Sequence, residues 1–235
     1  MAALSSLQTR YKVCMTLPEY WLPRPKFDLE PHRNDFEFAL EEALKTGVGQ
    51  APDAPVWAWL NWLCDTQGFV AHGTGQGDIA LFEPRQSNDI RWFGNRKAVY
   101  AASDALWAMF FAIMNRPTVP MTVVNAAISV WLSGKLEPRY FFGANRAALE
   151  GGAFRDGWVY LLPAAGFERE PGGTQLGLVF ESHHLACLEP VRPAFRVAVR
   201  SSDFPFLERV YAYDDDALAA GVSRDPDGFP WLEDA

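Results

Sequence analysis

The chain has 235 residues, about half of them hydrophobic, nine tryptophans and a formal net charge of −8. That composition supplies a sizeable core and argues against disorder, while the acidity disfavours broad electrostatic binding to nucleic acid or anionic membrane. Three scattered cysteines (Cys14, Cys64, Cys187), with no CxxC among them, suit reduced thiols better than a disulfide framework or a zinc site. No apolar run reaches the length of a membrane span, and the N-terminus lacks the basic-then-apolar order of a secretion signal, so a soluble cytoplasmic protein is expected.

The stretch up to about residue 30 is rich in proline and aromatics and reads as an extended wrap. "NDFEFALEEALKTG" then carries a helix. Asn34 or Asp35 can cap it, Phe36, Leu40 and Leu44 recur at helical spacing, and Gly47 ends it. "VWAWLNWLC" (56–64) reads as a second helix whose tryptophans form core or packing surface. From Phe69 the texture changes. "FVAHG" is a short strand running into a glycine turn, and "KAVYAAS" (97–103) is a second strand. "DALWAMFFAIMNR" (104–116), capped by Ser103 or Asp104, is apolar almost all round and reads as a helix buried on most sides.

"MTVVNAAISVWL", "GWVYLLP" and "FRVAVR" read as further strands, "EREPGGTQLG" as a glycine-broken loop, and the acidic run at 214–216 and the last ten residues as solvated termini. Strands outnumber helices after residue 69 without regular alternation. The fold class is therefore α+β with a mainly antiparallel or mixed sheet, divided into an N-terminal extension (1–68) packed on a core domain (69–235).

"FVAHGTGQGDIALFEPRQSND" holds the chemistry-bearing residues. Gly73, Gly75 and Gly77 have the composition of a backbone nest for phosphate, yet "GTGQG" matches neither the dinucleotide nor the P-loop fingerprint. Asn88 and Asp89 are ordinary turn formers. Arg85 suits a two-pronged pyrophosphate clamp, or a surface ion pair with Glu83 or Asp89. There is no GxSxG elbow, and no local motif recommends Cys64 or Cys187 as a nucleophile. His183 and His184 are adjacent, so on a strand they point to opposite faces and do not share a metal ion; no metal is expected.

"HGT" closing one strand, followed by "VYAASDALWAMFFA" as a strand running straight into a helix, resembles the ADP-ribosyltransferase superfamily in its His–Tyr–Glu branch, the diphtheria-toxin and poly-ADP-ribose polymerase type. The likeness covers 69–116 and more loosely 157–200. It implies a split mixed or antiparallel sheet with flanking helices and an N-terminal helical extension, and NAD bent into a cleft between two sheets. His72 would then bond the adenosine-side ribose, the Gly73 backbone would hold the carboxamide, Thr74 would lie near the neighbouring ribose, and Tyr100 would stack on nicotinamide. His72 and Tyr100 are expected to face one another across a shared hollow. A carboxylate would stabilise the oxocarbenium-like ribose as the glycosidic bond breaks. Glu181, at the end of "LVF", is favoured for that role over Glu189, which precedes a proline; the family's expected spacing falls nearer His184.

The implied activity is bacterial-style ADP-ribosyl transfer from NAD to an acceptor, which is a protein, a nucleic acid or a small molecule, with loops 75–96 and 133–157 choosing among them. The alternative is a non-catalytic nucleotide- or protein-binding module on the same scaffold.

Overall fold

The computed structural model describes residues 17–87, 91–132, 134–175 and 178–232; Cys14, Asn88 and Asp89 lie outside them. From residue 17 the wrap is largely extended, with β1 (Leu22–Pro23) and a 3₁₀ turn at Glu30–His32 before α1 (Arg33–Thr46). The helix starts ahead of Asn34 and Asp35, with no side-chain cap, and ends as expected on left-handed Gly47 (φ 74°), whose N–H returns to the Ala43 carbonyl. Phe36 is buried, but Leu44 is 53% exposed and Ala43 takes its place inside. Seven residues of helix return to within about 20° of Phe36, whereas eight overshoot by about 80°.

After β2 (Val48–Gly49), α2 (Val56–Thr66) buries Trp57, Trp59 and Trp62 as core. There follow β3 (Phe69–Thr74), β4 (Arg85–Gln86), β5 (Lys97–Ala102) and α3 (Ala105–Ile113), capped by the Asp104 carboxylate on the Leu106 N–H. Next come β6 (Val123–Leu132), β7 (Lys135–Asn145), α4 (Arg146–Glu150) and β8 (Gly157–Pro163). The chain continues through β9 (Glu168–Arg169), β10 (Gly173–Gln175), β11 (Leu178–Ser182), β12 (His184–Cys187), β13 (Phe195–Val199), β14 (Tyr211–Tyr213) and α5 (Asp215–Arg224).

The strands form two sheets. The first runs β1-β7-β6-β11-β10, with β14 also on β7; the second runs β2-β13-β8-β3-β5-β12-β9, with β4 also on β5. Pairings are antiparallel except β13–β2 and β14–β7, which are parallel. The architecture is α+β with a split mixed sheet. β1 and β2 place the segment 17–68 in both sheets, and its tryptophans share one core cluster with α3.

Helix α3 lies between the sheets, as its all-round apolarity predicts. On one side it packs so closely on β3 and β8 that a Cβ at Gly73 would sit 1.7 Å from the Ala108 carbonyl oxygen, and one at Gly157 2.0 Å from that of Ala112. On the other side Phe110 meets Phe142 of β7 at 4.7 Å between ring centroids.

Three expectations are corrected. The span 133–157, expected as loop, contains the whole of β7, an 11-residue strand. "EREPGGTQLG" includes β9 and β10, because each finds an antiparallel partner, in β12 and β11. At the C-terminal end Asp214, Asp215 and Asp216 are exposed as expected, but the part of the tail that is described packs on the core: Asp214 caps α5, and Phe229 lies 5.8 Å from Trp21. Among the described residues, no helix is long and apolar enough to cross a membrane.

Candidate functional site at the sheet junction

β3 and β5 share one partner pair, Ala71↔Ala102, and then separate. Both alanines belong to the core cluster around α3. Side chains alternate along a strand, so Tyr100 shares the α3 face with Ala102, while His72, one residue past Ala71, points to the opposite face. The contacts agree. The His72 ring packs on Phe82, 4.6 Å away and part of the outer cluster, whereas Tyr100 joins Phe93, Ala98 and Ala186. The expectation that His72 and Tyr100 face one another across a hollow is therefore overturned. They meet through backbone instead: His72 Nδ1 lies 2.6 Å from the Tyr100 carbonyl oxygen. A carbonyl only accepts, so Nδ1 carries the proton and Nε2 is left as acceptor. Burial holds the His72 pKa below its ordinary value, against the raising effect of that bond, and the nearby Arg85 charge adds to the lowering.

On the α3 face, Tyr100 is fixed at both ends. Its hydroxyl accepts from the Arg96 N–H (2.8 Å) and lies within bonding distance of the Arg96 and Phe93 carbonyls, which fastens the 91–96 turn over the strand. Its ring lies 5.1 Å from His184, which also meets Phe93 and Trp107, each at 5.3 Å. Trp107 of α3 donates through Nε1 to Asn125 Oδ1 on β6 at 2.6 Å, so this aromatic group is joined to both sheets.

His184 Nδ1 stands 3.6 Å from Glu170 Oε2, and the same carboxylate oxygen accepts from the Ser182 hydroxyl at 2.7 Å. Burial works to raise the Glu170 pKa. The opposing interactions with the nearby His184 and with the Ser182 hydroxyl, and the Arg91 charge, outweigh it and hold the acid below its usual range.

The chain crosses from one sheet to the other at His183, between Ser182 of β11 and His184 of β12. Its N–H donates to the Ala127 carbonyl in the first sheet and its carbonyl accepts from the Ser103 N–H beside the second. Its ring spans the same gap, with Nδ1 2.8 Å from Ser103 Oγ and Nε2 2.9 Å from Ser129 Oγ. Arg169 donates to Ser103 Oγ and to the Ser182 carbonyl, closing the junction. Burial lowers the His183 pKa, although the Asp104 charge pulls the other way.

Glu181 pairs with Ser129 across β11 and β6, so the two side chains share a face. That face also carries Asn125 and is turned toward Trp107 and His183. Glu181 is exposed, and its carboxylate has no hydrogen-bond or ion-pair partner among the described residues. Beyond it on the same face, Val179 and Trp131 are 61% and 55% exposed. Glu189 lies elsewhere: it is exposed on a shallow hollow of about 520 Å³ past the end of β12, lined by Pro163, Leu188 and Arg192 among others.

Arg85 is exposed in β4, opposite Ala98, with no ion pair to Glu83. The Thr74 hydroxyl accepts from the Gln76 N–H. None of Gly73, Gly75 and Gly77 has a positive φ, so they form no left-handed nest. Each makes room for a neighbour instead: a Cβ would meet α3 at Gly73, the Arg155 guanidinium at Gly75 and the Trp158 indole at Gly77.

His183 and His184 diverge to separate partners, and no group of three His, Cys, Asp or Glu side chains among the described residues could hold a metal ion. Sequence reasoning missed Glu170, Trp107 and Asn125 as parts of this junction. No local signal marks them, because each is brought in by sheet pairing or by the helix between the sheets. Compared with family models, curated proteins and solved structures, the chain matches none.

Proposed function

We propose that the chain is an NAD-dependent ADP-ribosyltransferase with an ADP-ribosyltransferase-like fold, whose site is the gap between the sheets beside α3. One observation carries the reading. Glu181, unpartnered, stands on the sheet face that reaches across to an aromatic group containing Tyr100, Trp107 and His184. Planar rings suit a flat nicotinamide, and a free carboxylate suits the positive charge that grows on the ribose as nicotinamide departs. Tyr100 keeps its place in this reading. The Gly73 backbone lies on the edge where β3 leaves β5, and His72 acts from the far face by holding the Tyr100 carbonyl rather than by touching ribose.

The test is nicotinamide release from NAD by the purified chain. Glu181→Gln lowers the rate by about 10²–10³-fold, the scale of one lost electrostatic stabiliser, and Glu189→Gln leaves it unchanged. A wild-type protein that releases no nicotinamide refutes the reading.

A second reading, a non-catalytic binding module, is favoured by one specific feature. His184 stands at the start of the strand paired with β5, near the spacing expected for the acid. Under that reading NAD raises the melting temperature dose-dependently while no nicotinamide appears.

A further inference from the structure

We propose that His184, oriented by Glu170, is a general base of the inter-sheet gap, and that the acceptor it serves is a hydroxyl group. The inference rests on the transferase reading above and names the class of nucleophile that follows ADP-ribose departure.

The arrangement has the parts such a base needs. Glu170 stands at Nδ1, and the Ser182 hydroxyl bonds the same carboxylate oxygen and fixes it. The Ser182 Oγ also accepts from the His184 N–H at 3.1 Å, tying the backbone of the base to its orienting group. Glu170 is itself held in register, because its N–H donates to the His184 carbonyl at 2.9 Å. Phe93, Tyr100 and Trp107 surround the imidazole and restrict its rotation. Neither ring nitrogen has a hydrogen-bond partner among the described residues and neither is among the buried atoms left unsatisfied; Nδ1 faces the Glu170 carboxylate, so Nε2 is the nitrogen left for a ligand. At 3.6 Å the carboxylate is just outside hydrogen-bond range, but its negative charge on the Nδ1 side favours the tautomer with the proton there and turns Nε2 to the acceptor role. Unlike His183, whose two nitrogens both face serines, His184 has a nitrogen to spare.

The step balances without a further reagent. The C1′–N bond to nicotinamide breaks, and its electron pair leaves with neutral nicotinamide. The acceptor oxygen forms the new bond to C1′, and its proton passes to His184 Nε2. The acceptor class follows from what such a base adds. A carboxylate acceptor is already anionic and has no proton to lose, and a guanidinium holds its proton too tightly for an imidazole to remove. An alcohol gains from an imidazole at the moment of attack.

The experiment offers NAD to the full chain with methanol, azide or agmatine as acceptor, and measures the ADP-ribose adducts and nicotinamide. Wild type captures methanol in preference to agmatine. His184→Gln lowers methanol capture by about 10²-fold relative to azide, an anion that needs no base. Glu170→Gln lowers kcat for methanol about 10-fold with little change in KM for NAD, and spares azide relatively, which a merely structural loss does not do; it also serves where the His184 variant fails to fold. If the methanol-to-azide ratio is unchanged in both variants, or agmatine is preferred, the base assignment is overturned while nicotinamide release dependent on Glu181 leaves the transferase reading standing. If wild type releases no nicotinamide with any acceptor, both fall.

Discussion

His72 Nδ1 donates to the Tyr100 carbonyl at 2.6 Å while the two rings lie on opposite faces of one sheet. The bond stands where β3 and β5 have stopped pairing, so a side chain does the work of a ladder hydrogen bond. His72→Ala leaves that carbonyl without its donor and removes the packing on Phe82. The expected loss is about 2–3 kcal/mol of unfolding free energy. Urea unfolding measures it, and a loss within experimental error contradicts the role.

A pH dependence follows from two partly buried histidines. Burial lowers the pKa of both His72 and His183 from an ordinary value of 6.5. Below that pH the unfolded chain binds protons that the native state refuses. Their share of stability is therefore complete above about pH 6.5 and declines as pH falls toward the depressed native values, by up to about 1.4 kcal/mol per pH unit for each group. Unfolding free energies at pH 7.5, 6.5 and 5.5 should decline in that order, and His72→Gln should flatten part of the slope. Stability that is level across the series contradicts the burial of both rings.

Gly73 and Gly75 separate steric need from sequence resemblance. A Cβ at Gly73 meets backbone, the Ala108 carbonyl oxygen at 1.7 Å, and relief requires α3 to move off β3. A Cβ at Gly75 meets Arg155 Nη2 at the same 1.7 Å, but that is the tip of a flexible side chain. Gly73→Ala is expected to cost about 3 kcal/mol or more and Gly75→Ala less than about 1 kcal/mol. Thermal melts of the two variants side by side check the contrast; equal losses would show that the α3 contact is not what selects glycine at 73.

Some of this was legible in the sequence because local pattern and tertiary need coincide. The apolar circumference of 105–113 signals a helix enclosed on most sides, and "FVAHGT" and "KAVYAA" are short, nearly continuous apolar runs bounded by glycine, serine or charge, the signature of a buried strand. β7 escaped because Pro138 and the charges of Lys135, Glu137 and Arg139 argue against a strand, although a long partner in β6 overrides them. The junction escaped for another reason. Glu170 reaches His184 only because β9 lies antiparallel on β12, and Glu181 faces the gap only through its register with Ser129. Strand register between distant segments leaves no trace in local periodicity. The face of His72 was misjudged for the same reason: its side depends on which residue of β5 lies opposite Ala71.

The start of α3 depends on a buried ionic cluster. Asp104 is fully buried; its carboxylate caps the helix at Leu106 N–H, receives Arg24 Nη2 at 2.6 Å and accepts from the Tyr140 hydroxyl at 2.6 Å. Burial would raise its pKa, but the Arg24 charge foremost, with His183 and the hydrogen bonds from Tyr140 and Arg24, keeps it below the usual range. Arg24 also pairs with Asp65 and donates from Nε to Tyr140, so one residue of the N-terminal wrap secures α2, α3 and β7 together. Arg24→Ala leaves a buried carboxylate without its counter-charge and is expected to cost about 3–5 kcal/mol. Adding Asp104→Asn removes the stranded charge while keeping an oxygen for the cap, so the double variant should be more stable than Arg24→Ala alone. Tyr140→Phe deletes one neutral donor and should cost about 1–2 kcal/mol. Denaturant midpoints of the three variants decide the matter: an Arg24→Ala loss near the ~0.5 kcal/mol of an exposed pair would mean that water reaches Asp104 and that the wrap does not anchor the helix on which the candidate site is built.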